Sequence, residues 1–144
     1  MKNHKPILCL DFDGVLHGYE SGWQGAGVAN DPPVPGAVEF LYEATRRFRV
    51  AIYSSRSKSL AGRAAMRRYF RQHFEMSLTF SPGHEQWDFL SEAIEWPWFK
   101  PSAFITIDDR ALTFDGTWPA LDTLAAFKPW NKRAALSQAK GADQ

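Results

Sequence analysis

The sequence predicts an α/β fold in which a parallel sheet carries helices on both faces, within one domain over residues 1–144. Three observations predict it. Short apolar runs at Ile7 to Leu10, Val50 to Tyr53 and Ala103 to Ile107 have the length of buried strands, and each ends abruptly at polar residues. Longer segments between them space their apolar residues as helices do. The third is size: 144 residues, 44% of them hydrophobic, can bury a core without disulfide or metal staples.

Residues 6 to 11 form the first strand. From His17 to Pro35 the chain is rich in glycine, carries Tyr19 and Trp23, and closes on DPPVPG. That is too long for a plain connector, so a hairpin-like flap is expected near the end of the strand. Gly36 to Phe48 follows as a helix entered through Pro35, with Val38, Leu41 and Tyr42 on its apolar side. Val50 to Tyr53 is the second strand and SSRS ends it. A helix over Leu60 to Phe74 places Arg63, Arg67 and Arg71 on one stripe. Met76 to Phe80 is expected as a third strand, Glu85 to Trp96 as a helix stopped by Pro97, and Ala103 to Ile107 as a fourth strand. Pro119 to Phe127 is read as a last helix, running into an edge strand at Ala126 and Phe127, and the terminal GADQ as frayed.

Composition narrows the function classes. The net charge of +1 says little, because between Thr45 and Phe74 there are nine Arg or Lys and no Asp or Glu. The single Cys9 lies in the first apolar run, which excludes an intramolecular disulfide and suits a reducing cytoplasm. Lys2 and Lys5 precede too short an apolar stretch for a signal peptide, and no run approaches a membrane span. His4, His17, His73 and His84 lack zinc-ligand spacing. No GxxxxGK[ST] loop supports ATP-driven chemistry.

In parallel sheets, ligands gather at the carboxyl ends of the strands. Asp11, Asp13, Ser54, Asp108 and Asp109 all stand where an apolar strand stops. In an extended strand, side chains two apart sit on one face about 6.6 Å apart. Two carboxylates there repel by roughly 2 to 3 kcal/mol at an effective dielectric near 20, which calls for a cation or a shared proton. A core strand followed by a simple FDG turn is the alternative for that segment alone. Oxygen-only donors favour Mg²⁺, completed by a substrate phosphate. A phosphomonoester dianion would then bridge the metal, the Ser54 hydroxyl and the Lys100 ammonium, with Arg56 beside it. Asp11 becomes a nucleophile on phosphorus, and Asp13 manages the protons.

These residues resemble a known family. DFDGVL is similar to the first motif of the haloacid dehalogenase-like (HAD) superfamily, AIYSS to its second, Lys100 to its third and ITIDD to its fourth, in the family's order over residues 7 to 109. The resemblance implies a Rossmann-like core and a Mg²⁺-dependent phosphomonoester hydrolase working through an aspartyl phosphate. It implies Asp11 as nucleophile and Asp13 as acid/base, with its backbone carbonyl on the metal. Asp109 would ligate directly and Asp108 would stand close behind. Ser54 would bind the phosphoryl group and Lys100 would stabilise it. The two intervals where such proteins carry cap domains hold only the flap and elements the core requires, so a capless member is expected.

The rivals are a nucleotide or polynucleotide end phosphatase, favoured if basic residues 46–71 line the site, a receiver-like signalling domain, and a catalytically silent phosphate-binding module. A solvated helix face is the plain reading of the arginines. Ser54 and Ser55 can be strand-ending residues, Lys58 competes for the phosphate role, and Asp108 and Asp109 can cap a helix, with Arg110 holding the pair. His17, Tyr19 and Trp23 either contact the leaving group or pack the flap. The other tryptophans read as packing.

Overall fold

A computed structural model describes residues 4–78 and 93–133 of the chain. Two compact units make it up, Met1–Ile107 and Asp108–Gln144. The first unit holds a four-stranded parallel sheet: β1 (Ile7–Leu10), β2 (Arg49–Ile52), β3 (Ile94–Glu95) and β4 (Ile105–Ile107), in the order β3-β2-β1-β4. The α/β class and the parallel sheet expected from the sequence are therefore present.

The central strand is β1, whose Leu8, Cys9 and Leu10 are buried. Leu10 is in register with Ile52 on one side and Ile107 on the other. The carboxyl ends of these three strands thus stand level. Helix α1 (Ala37–Arg47) connects β1 to β2. It buries Ala37, Leu41, Ala44 and Thr45, one stripe at helical spacing, and its last turn carries Arg46 and Arg47, which suit the negative end of the helix dipole. Phe48 is already extended, so the chain passes straight into β2.

After β2 comes a single 3₁₀ turn, Ser55–Lys58, and then α2 (Leu60–Leu78). Ala65, Met66, Tyr69, Phe70 and Phe74 form its buried stripe, with the Phe70 and Phe74 rings stacked 4.6 Å apart. At Gly62 the helix touches the preceding turn. A Cβ there would lie 2.1 Å from the Arg56 carbonyl oxygen, so no larger residue fits without moving backbone.

The structure corrects the expected third strand. Residues 76–78 continue α2, since no proline or glycine in the sequence before Pro82 breaks the helix. The strand beside β2 is Ile94–Glu95, which the sequence reading had placed in a helix. Ile94 is buried in register with Val50, and Glu95 pairs with Arg49 at 2.7 Å. Two residues are too few to display a period of two. The rest of the expected strand and of the Glu85–Trp96 helix lies outside the described residues, as does the GADQ terminus.

The second unit begins at Asp108. Its Phe114 and Trp118 rings lie 4.7 Å apart, and a short helix α3 spans Leu121–Ala125. No edge strand forms at Ala126 and Phe127. Their amides are taken by Asp122 and Leu124 carbonyls at the end of α3, and so are not offered to a ladder.

Candidate active site

The chain leaves β1 through a tight turn. The Asp11 amide donates to the Ile107 carbonyl at 3.0 Å, and the Asp11 carboxylate accepts from the Phe12 amide at 2.8 Å. Phe12 drives into the core. Leu16 and His17 amides both return to the Phe12 carbonyl. Gly14 adopts φ 78°, the left-handed conformation that lets its amide reach the His17 carbonyl at 2.8 Å.

The flap closes on itself at its base. Gly18 donates to the Pro32 carbonyl and Val34 to the Leu16 carbonyl, so its two legs run together. His17, only 2% exposed, stands inside. Its Nε2 accepts the Asp31 amide at 3.1 Å, which leaves the proton on Nδ1, donated to Asp13 Oδ1 at 2.8 Å. The ring stacks on Phe12 and meets the edge of Tyr69.

Arg56 completes this assembly. It is fully buried. Nε donates to Asp13 Oδ2 at 2.9 Å and Nη2 to Asp13 Oδ1 at 3.1 Å, while Nη1 reaches the flap carbonyls of Gly25 and Ala26 at 3.2 and 2.7 Å. Trp23, half-exposed at the flap, covers the guanidinium with its ring centroid 4.9 Å from Cζ. Burial alone would raise the Asp13 carboxyl pKa. The hydrogen bonds from His17 and Arg56, with the charge of Arg56, outweigh it and hold the group below the usual carboxylate range.

A second buried carboxylate, Asp31, lies behind His17. Burial again pushes upward, and again the donors prevail: Ser21 gives its hydroxyl at 2.6 Å and its amide at 2.8 Å, and the net shift is downward. Tyr69 donates to the Asp31 carbonyl at 2.7 Å. Burial, then the nearby carboxylates of Asp31 and Asp13, push the Tyr69 hydroxyl well above its ordinary value, so it stays a donor.

At the end of β2, Ser54 is buried and caps the 3₁₀ turn. Its Oγ accepts the Arg56 amide at 3.0 Å, and its own amide donates to Ser57 Oγ. A hydroxyl engaged as acceptor keeps its own proton for a further acceptor. Ser55 and Lys58 are exposed. Beyond β4, Asp108 accepts the Arg110 amide at 2.8 Å, and the Arg110 guanidinium lies 3.9 Å from Asp109. Lys100 is exposed on the connection between β3 and β4.

Of the residues singled out from the sequence, Asp13 and Arg56 are thus brought into direct contact, and Arg56 shares its turn with Ser54. Arg56 spends its donors on a carboxylate and on the flap, away from solvent. Asp11 stands one residue past Leu10, the end of β1 that is in register with Ile107. Arg63 is nearly buried against the Trp96 and Pro97 carbonyls, while Arg67, Arg68 and Arg71 are exposed. Asp31 and Tyr69 escaped the sequence reading. Neither stands at a strand end, and the only signal for Asp31 is its place before two prolines at the foot of the flap. The chain matches no protein-family model, no curated protein and no solved structure.

Proposed function

We propose that this protein is a HAD-like, capless, Mg²⁺-dependent phosphomonoester hydrolase that works through an aspartyl phosphate. The observation that carries the reading is at the level carboxyl ends of β1 and β2: Asp11 follows one strand, and beyond it Asp13 is held by Arg56 in the turn that Ser54 caps at the end of the other. Asp11, Asp108, Asp109 and the Asp13 carbonyl offer oxygen donors only, a set that fits a hard divalent cation. Bound there, Mg²⁺ would neutralise charge on the phosphoryl oxygens.

The chain's own residues then divide the work. A carboxylate oxygen of Asp11 attacks phosphorus, and the bond to the leaving oxygen breaks. Asp13 gives that oxygen its proton, and afterwards takes one from the water that hydrolyses the acyl phosphate. The Ser54 hydroxyl donates to a phosphoryl oxygen, and the Lys100 ammonium opposes its charge.

A narrower reading, with the phosphomonoester at the end of a nucleotide or polynucleotide, is favoured by one feature of α2. Arg67, Phe70, Arg71 and Trp96 line a cavity of about 330 Å³, whose two cations suit a phosphate backbone. Hydrolysis of an aryl phosphate, a sugar phosphate, nucleotides and phosphorylated DNA ends, with and without chelator, tests both. Activity that needs Mg²⁺ and is absent from Asp11→Asn is expected. Equal turnover by the variant refutes the assignment, and a strand-end preference that falls steeply with salt marks the narrower substrate.

A further inference from the structure

We propose that the exposed face of α2, with the Trp96 to Phe99 segment beside it, is a binding surface for single-stranded nucleic acid. Such binding needs no hydrolysis and holds whatever group ends the strand, so it goes beyond the reading above. Leu60 to Phe74 holds four arginines and no acidic residue. With Ala65, Met66, Tyr69, Phe70 and Phe74 buried, Arg67, Arg68 and Arg71 stand exposed. Among the described residues, none of the three has a carboxylate within ion-pair distance. Like charges four apart destabilise a helix, and Arg63, Arg67 and Arg71 form such a series. Burial, then the charge of Arg67, hold the Arg63 guanidinium below its ordinary value. A polyanion laid along this face relieves the repulsion.

Four residues advance a helix by about 6 Å, so Arg67 and Arg71 offer successive cations along one line. Both line the cavity of about 330 Å³ that Phe70 and Trp96 complete. Arg63 ties the neighbouring segment to the helix, donating to the Trp96 and Pro97 carbonyls at 2.7 and 3.1 Å. Its Cζ lies 3.9 Å from the Trp98 ring centroid, yet Trp98 remains 46% exposed and Phe99 84%. Arginines alone would suit any polyanion. Aromatic side chains exposed beside them favour an unpaired strand, whose bases add stacking to the charge contacts of the backbone. A duplex hides the faces of its bases, and an anionic bilayer has none.

Fluorescence anisotropy with an internally labelled oligothymidylate, hydroxyl-ended on both sides, tests the surface without reference to catalysis. With three phosphate contacts, log affinity should fall against log salt with a slope of about −2. Arg67→Gln/Arg71→Gln should weaken binding about tenfold or more at low salt and reduce the slope to about −0.7. Trp98→Ala should weaken binding about tenfold and leave the slope unchanged, because it removes a stacking contact and no charge. Lys128→Gln/Lys132→Gln, an equal loss of charge in the second unit, should bind as wild type does. Circular dichroism and melting establish that each variant is folded. The arginine variant loses no ion pair and carries the test should Trp98→Ala not fold. No binding by wild type, an equal loss in the lysine variant, equal affinity for the duplex with oligoadenylate, or tighter binding to vesicles containing phosphatidylserine would overturn the proposal. None of these outcomes bears on the hydrolase reading, which stands or falls on turnover by Asp11→Asn.

Discussion

A buried carboxylate is stable only as far as its donors allow, and Asp31 makes the point outside the reacting residues. With the Ser21 hydroxyl and amide on its oxygens, it stays ionised below the usual carboxylate range. A depressed folded-state pKa contributes stability that is complete above the unfolded value, about 3.9, and is lost as pH falls through the lower folded value. Asp31→Asn should therefore destabilise the chain at pH 7 by about 1 to 3 kcal/mol, as hydrogen bonds to a charged group do. Denaturant titrations should show the gap between wild type and variant closing as the pH drops below 4. A gap independent of pH would contradict the ionised Asp31. Tyr69→Phe, which deletes the hydroxyl on the Asp31 carbonyl, should cost about 1 kcal/mol by the same measurement. None of these pairings was legible in the sequence. Asp13 and Arg56 are 43 residues apart, and proximity in a fold leaves no mark on spacing at that range.

Elements were legible where a period could express itself. The α1 stripe and most of α2 fall where helical spacing puts them. β1 and β2 show as apolar runs because a central parallel strand is covered on both faces. β3 was misplaced because two residues at a sheet edge display no alternation, and the end of α2 was missed because Met76 to Leu78 suit either state until something stops the helix. The joint between elements is the sharper test. Gly62 lets α2 start against the turn that carries Arg56, and the Arg56 carbonyl occupies the space of its missing Cβ. In an open helix Gly62→Ala would stabilise by about 1 kcal/mol. Here overpacking should reverse the sign, to a net loss of about 1 to 2 kcal/mol. Activity should fall with it, since the shifted backbone belongs to Arg56. A more stable Gly62→Ala protein would contradict the close approach.

For the chain as a whole, the α/β class and the parallel sheet could be read because both follow from where apolar runs stop. What fastens the flap could not, because it depends on side chains that meet only after folding. If the acidic residues beyond β1 and β4 hold a cation in the folded state alone, millimolar Mg²⁺ should raise the melting temperature of wild type and leave Asp11→Asn and Asp109→Asn unmoved. Calorimetry with and without the ion checks it, and an equal rise in all three would place the ion elsewhere. The most direct test of the central claim is to catch the phosphoryl group on the chain. Protein quenched during turnover and treated with borohydride should yield, in peptide mapping by mass spectrometry, homoserine in place of aspartate at position 11 and nowhere else. Conversion at another aspartate, or none in an actively hydrolysing sample, would contradict Asp11 as the nucleophile.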